Sequence, residues 1–197
     1  MHTRIHLISF LLLGAYFLIA ASTTAAGEPL ELMQSTIDRG LQLFKDPALQ
    51  SREKGKERAE RMREIVNSIV DFEEMTKLAL GPHWTRMTPA EQEELVRLFR
   101  PLLEKIISDW NPEKMALGRE TIERNHAQVE SHEINSSGYP VPVVYKLRRV
   151  DGTWKIYDEV IANVSVVNNF RAQFDRVFDK SSFEELTKLL REKGEKK

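Results

Sequence analysis

The chain has 197 residues, with 29 Lys and Arg against 30 Asp and Glu, a formal net charge of −1, and no cysteine. A balance this near neutral argues against a nucleic-acid partner, which needs a basic stripe, and against tight electrostatic docking on an anionic bilayer. Without cysteine there is no disulfide, no thiolate nucleophile and no lipidated Cys, so the domain must be held by packing around one core.

The chain opens with a short basic stretch, Met1 to Arg4, followed by an almost wholly apolar run to Ala21 and small residues from Ser22 to Gly27. This order predicts a secretory signal peptide over residues 1–26, cleaved near Ala26, and a periplasmic location for the single domain 27–197. A membrane anchor is the alternative reading of the same run. The Ala/Thr/Ser stretch and the lack of a charged flank after it favour cleavage.

The first half of the domain reads as helical. From Pro29 to Phe44 the apolar residues Leu32, Met33, Ile37, Leu41 and Phe44 recur at three- and four-residue spacing, and Asp46-Pro47 ends that helix. A charged stretch follows, with a single apolar stripe of Ala59, Met62, Ile65, Val66 and Ile69, which reads as the solvated face of a helix. Asp71-Phe72-Glu73-Glu74, Thr88-Pro89-Ala90-Glu91 and Ser181-Ser182-Phe183-Glu184 have the form of capping boxes that start helices. Leu80-Gly81-Pro82 stops the first of these. The helix from Thr88 is expected to reach about Trp110, with Pro101 kinking it from inside.

Strands come next. Residues 121–133 alternate weakly, whereas Val143, Tyr145 and Leu147 alternate cleanly with Lys146 and Arg148. Asp151-Gly152 is a hairpin turn. The strand 153–161 then places Trp154, Ile156 and Val160 on one face, and residues 163–178 return to helical spacing. Helices, then an antiparallel sheet, then helices give an α+β fold.

Four separated segments stand out: Trp154-Lys155-Ile156-Tyr157-Asp158, the run from Val164 through Asn168-Asn169-Phe170-Arg171 to Phe174, Lys180 to Leu186, and Val70-Asp71-Phe72 with Leu80-Gly81 and Trp84. Together they resemble the MlaC family of periplasmic phospholipid-binding proteins, also known as toluene-tolerance or ABC-transporter auxiliary proteins. The sequence departs from the family pattern at Glu159, Ala162 and Asn163. The resemblance implies a cystatin-like or NTF2-like domain enclosing an apolar pocket for lipid tails, with phospholipid as cargo rather than a cofactor. It also implies an inner-membrane ABC transporter with an MCE-domain subunit and an outer-membrane lipoprotein–porin complex as partners. The carrier would be a monomer that maintains outer-membrane lipid asymmetry.

Under that resemblance the candidate lipid-binding residues are Phe99, Leu102, Leu103 and Ile106 on the Pro101 helix, Tyr145, Leu147, Trp154 and Ile156 on the sheet, and Val167 and Phe170 on the following helix. Periodicity alone reads the same residues as a filled core. No enzyme motif is present: there is no Gly-x-Ser-x-Gly and no phosphate-cradling glycine loop. His126 and His132 flank Glu130 on one strand face, but their spacing matches no standard metal-ligand pattern. The expectation is therefore no catalytic residue and no metal. The alternatives are a small NTF2-like enzyme with Asp158 as base, since alternation puts Asp158 beside Trp154 and Ile156, an adaptor with a filled core, or a carrier of another lipid such as a hopanoid. His83, after a helix stop, reads as part of a surface turn.

Overall fold

The computed structural model describes residues 28–108, 114–134, 137–179 and 182–195. The expected signal peptide and Trp110 lie outside these residues. Helix α1 (Glu28–Lys45) ends where Asp46 accepts the Ala48 N–H at 2.9 Å and Pro47 opens a short 3-10 turn. Helix α2 spans Gly55–Asn67 and α3 Phe72–Leu80. The α3 start uses half of its expected box: Asp71 accepts the Glu74 N–H at 2.9 Å, but Glu74 turns to Arg148 of the sheet at 3.3 Å. Gly81 closes α3 at φ 52°, a conformation that suits a residue without Cβ.

Helix α4 (Pro89–Ser108) has a complete box, with Thr88 N–H to Glu91 at 2.7 Å and Glu91 N–H to the Thr88 hydroxyl at 3.3 Å. It passes through Pro101 and stays helical. Helices α5 (Val166–Phe178) and α6 (Phe183–Glu195) close the chain. No described helix is long and apolar enough to cross a membrane.

The sheet is an antiparallel meander, β1 (Met115–Glu123), β2 (His126–Ile134), β3 (Pro140–Val150), β4 (Thr153–Ile161) and β5 (Val164–Ser165), in sequence order. The weakly alternating stretch 121–133 is not one strand. It holds the end of β1, a turn at Arg124 (φ 56°) and Asn125, and most of β2. An Arg-Asn pair lacks the glycine that marks a tight hairpin turn, so the turn leaves little trace in the sequence. Residues 163–165 are likewise turn and strand rather than helix, because Ser165 caps α5 by accepting the Asn168 N–H.

Along the outer edge of β4 run two short segments. The α2–α3 link bridges it, with Ile156 N–H donating to Ile69 O at 2.7 Å and Asp71 N–H to Ile156 O at 2.8 Å, and β5 pairs with Val160 and Ile161.

One irregularity decides which side chains face inward. Leu147 pairs with Ile156, but Lys146 pairs with Asp158, so Tyr157 is an extra residue in β4. A bulge of this kind reverses the alternation beyond it. Trp154 and Ile156 face the core as expected, but Val160 pairs with Val144 on the opposite face, and Glu159 instead of Asp158 stands opposite Tyr145. The simple alternation that grouped Asp158 and Val160 with Trp154 and Ile156 fails at this residue.

Candidate functional site

Two neighbouring cavities share one wall, one among the helices and one between the helices and the sheet. The outer one, about 260 Å³, is a groove bounded by Phe44 of α1, Arg58, Ala59, Met62, Arg63, Val66 and Asn67 of α2, and Glu104 of α4. Its floor is apolar and its rim charged. Arg58 donates to Leu49 O at 2.7 Å, and Arg63 lies 3.8 Å from Glu104. Asn67, on the groove lining, has a buried side-chain oxygen without a hydrogen-bond partner.

The inner cavity, about 20 Å³, lies between α1, the α2–α3 link and the sheet, and is lined by Met33, Thr36, Val66, Ile69, Val70, Tyr145, Ile156 and Glu159. Val66 belongs to both walls and is the residue that separates the groove from the inner cavity.

The inner wall carries a buried polar group. Tyr145 donates its hydroxyl to Glu133, and burial holds its phenol well above the ordinary range, so it stays protonated. Glu159 is buried and its pKa is pushed up to about 8, first by loss of solvent and then by the charges of Glu133 and Asp158. At neutral pH it is therefore mostly a neutral acid and a hydrogen-bond donor.

The ten residues singled out from sequence do not share one environment. Tyr145 and Ile156 line the inner cavity. Phe99 sits edge-on to Phe170 at 4.7 Å and to Phe174 at 5.1 Å, in an aromatic cluster that joins α4 to α5. Leu103, Leu147 and Val167 are buried in the same closed core, with Leu102 half-buried against it. Trp154 is buried and donates its indole N–H to Glu28 at 3.0 Å. Ile106 is 37% exposed. What the pattern reading did not single out is the α2 wall: the stripe Ala59, Met62, Val66 was visible, but on so charged a helix it reads as an ordinary buried edge.

Asp158 lies on the other face of the sheet with its oxygens occupied. Lys146 Nζ is at 3.1 Å, the Ser165 hydroxyl donates at 2.8 Å and the Val167 N–H at 3.1 Å. Its place is the first turn of α5, where a carboxylate stabilises the helix dipole. His126 and His132 stand on the exposed face of β2, and Glu130 between them pairs with Arg119 at 2.8 Å. His83 is not loose in a surface turn. Its ring stacks on Phe178 at 4.2 Å and its Nε2 lies 3.0 Å from Asp175.

Among solved structures, a phospholipid-binding protein from Ralstonia solanacearum, determined in complex with a phospholipid, has the same fold. Its TM-score is 0.71 at 21% identity, covering 85% of this chain and 97% of that one. No curated protein sequence matches the chain. The family model described as MlaC protein matches residues 34–192, from the second turn of α1 to near the end of α6. That span contains the whole sheet and every wall of both cavities except Met33, and the chain belongs to the MlaC family.

Proposed function

We propose that this protein is a periplasmic lipid carrier that holds phospholipid acyl chains between its helices and its sheet and shuttles them between inner- and outer-membrane complexes. The observation that carries the reading is the apolar groove on α2, which shares its Val66 wall with a second, inner cavity at the sheet. The family and the phospholipid held by the Ralstonia solanacearum protein of the same fold support it.

The physical task is to shelter hydrocarbon from water. Each methylene is worth about 0.8 kcal/mol, so a chain of roughly 14 exposed methylenes costs on the order of 11 kcal/mol in water. A wall that substitutes for the bilayer removes most of that barrier while leaving net transfer near neutral, so direction is set by the partners. Those partners, on this reading, are an inner-membrane ABC transporter with an MCE-domain subunit and an outer-membrane lipoprotein–porin complex, and the outcome is maintained lipid asymmetry.

The groove volume lies just under the roughly 300–1,000 Å³ of ordinary ligand sites. Two full acyl chains therefore require α2 and α4 to part, and the headgroup stays outside beside Arg58 and Arg63, whose guanidinium groups suit a phosphate.

The test is direct. Native mass spectrometry and lipid extraction of the purified protein are expected to find bound phospholipid, and labelled phospholipid is expected to move between two vesicle populations faster with the protein than without it. Protein free of lipid and without effect on transfer would end the carrier reading.

A further inference from the structure

The polar groups of the inner cavity are unequal. Thr36 donates its hydroxyl to Leu32 O at 2.8 Å, and Tyr145 donates to Glu133. Glu159, the third polar side chain of that wall, has no side-chain hydrogen bond to any described residue, although it is buried. Glu159 keeps 8% of its surface accessible and lines the cavity, and a carboxyl at so apolar a wall gains from a hydrogen-bonding group that arrives there. The cavity beside it, about 20 Å³, has room for a single oxygen-sized group, and its other walls are apolar: Met33, Val66, Ile69, Val70 and Ile156.

We propose that Glu159 is a specificity determinant for the cargo, recognising a hydroxyl group carried on the hydrocarbon of the lipid at the inner end of the pocket. The inference rests on the carrier reading and narrows it to lipid whose hydrocarbon bears a hydroxyl at the end that enters the pocket. A plain chain end placed at this point leaves the carboxyl unpaired. A hydroxyl can accept from the carboxyl and donate back to it, and being tethered to the chain it arrives without the orientational loss of a free water. The neighbouring Tyr145–Glu133 pair fixes the strand face behind it, so Glu159 meets the ligand from a rigid sheet rather than a loop.

Two lipid types carry such a group, hydroxylated acyl chains and polycyclic alcohols, and the test separates them. The purified protein is equilibrated with vesicles containing dioleoyl or diricinoleoyl phosphatidylcholine, which differ only in a mid-chain hydroxyl, and in a second arm with cholesterol or its deoxy analogue cholestene. Bound lipid is measured by extraction and mass spectrometry.

The expected result is an about tenfold preference for the hydroxylated member of one pair, which identifies the source. Glu159→Leu is expected to abolish that preference, bringing the ratio within each pair to about one, and Glu159→Gln, which keeps hydrogen-bonding capacity, is expected to retain most of it. Equal binding within both pairs overturns the proposal and means that the cavity serves only solvent, yet leaves the carrier reading standing. So does a preference that survives in Glu159→Leu. Binding of none of the four lipids overturns both. Circular dichroism of the two variants establishes that they fold, and the Gln variant keeps the comparison open if the Leu variant does not.

Discussion

Asp158 Oδ1 accepts the backbone N–H of Val167 at 3.1 Å, while its other oxygen holds the Ser165 hydroxyl and the Lys146 ammonium. One carboxylate thus fastens the start of α5 to the back of the sheet. Asp158→Ala removes the partner of the half-buried Lys146 ammonium and leaves a helix-start N–H unpaired, and is expected to lower stability by about 1–3 kcal/mol. Urea unfolding measures the loss. Lipid binding by the folded protein is expected to survive, because this carboxylate is turned away from both cavities.

The neutral state of Glu159 makes stability depend on pH in a stated direction. Its folded pKa of about 8 is above the ordinary 4.5, so below that lower value folded and unfolded chains both hold the proton and there is no penalty. Between pH 4.5 and 8 the unfolded chain releases the proton while the folded chain retains it, and stability declines across that window before levelling off. The Gln variant removes the effect. Its stability relative to the wild type is expected to rise between pH 5 and 8 by an amount on the order of a few kcal/mol. A difference that is flat with pH in denaturant titrations would contradict the assignment.

The groove and the closed core respond to different substitutions. Ala59 is exposed at the lip of the groove, so Ala59→Trp is expected to fill the opening, cut phospholipid binding severalfold and leave the melting temperature nearly unchanged. Phe170→Ala removes one ring from the cluster with Phe99 and Phe174, and is expected to lose about 3–5 kcal/mol of stability while the folded fraction binds lipid normally. Vesicle-binding and unfolding assays on the two proteins check both halves. If Phe170→Ala loses binding at unchanged stability, the lipid runs through the aromatic cluster.

These two substitutions also mark what a sequence can and cannot convey. Helix starts at Thr88 and Asp71 were legible because a cap depends on residues three apart in the chain. Both faces of β3 were legible because a regular strand alternates. At Tyr157 one extra residue breaks that rule, and nothing in Ile156-Tyr157-Asp158-Glu159 announces it, so simple alternation points to Asp158 where Glu159 faces the cavity. The difference between Phe99, packed against rings, and Tyr145, bordering a cavity, was not legible at all. Both are large apolar residues on periodic faces, and only the spatial arrangement separates a filled core from a hollow one.

Pro101 remains helical in the middle of α4, three residues before Glu104 at the groove rim. Its ring removes the hydrogen bond to Arg97 O and weakens the helix where, in the proposed carrier, α4 would part from α2. Pro101→Ala is expected to raise stability and to slow the exchange of bound lipid with vesicles, without changing how much lipid is held at equilibrium. An unchanged exchange rate in a protein of equal or greater stability would show that the proline only shapes the helix.

The two short segments along β4 have a consequence for solubility. An open strand edge is a template on which a second chain can pair, and crowded proteins aggregate through such edges. Here the link through Ile69, Val70 and Asp71 shields one half of β4 and β5 shields the other. The opposite edge, β1, shifts register between Leu117 and Glu120 and carries Arg119, Glu120 and Glu123, so a like strand meets a broken ladder and charge. A carrier of hydrocarbon, as proposed for this chain, must avoid having its own copies recognised as more of the same, and this sheet is guarded along both margins against that error.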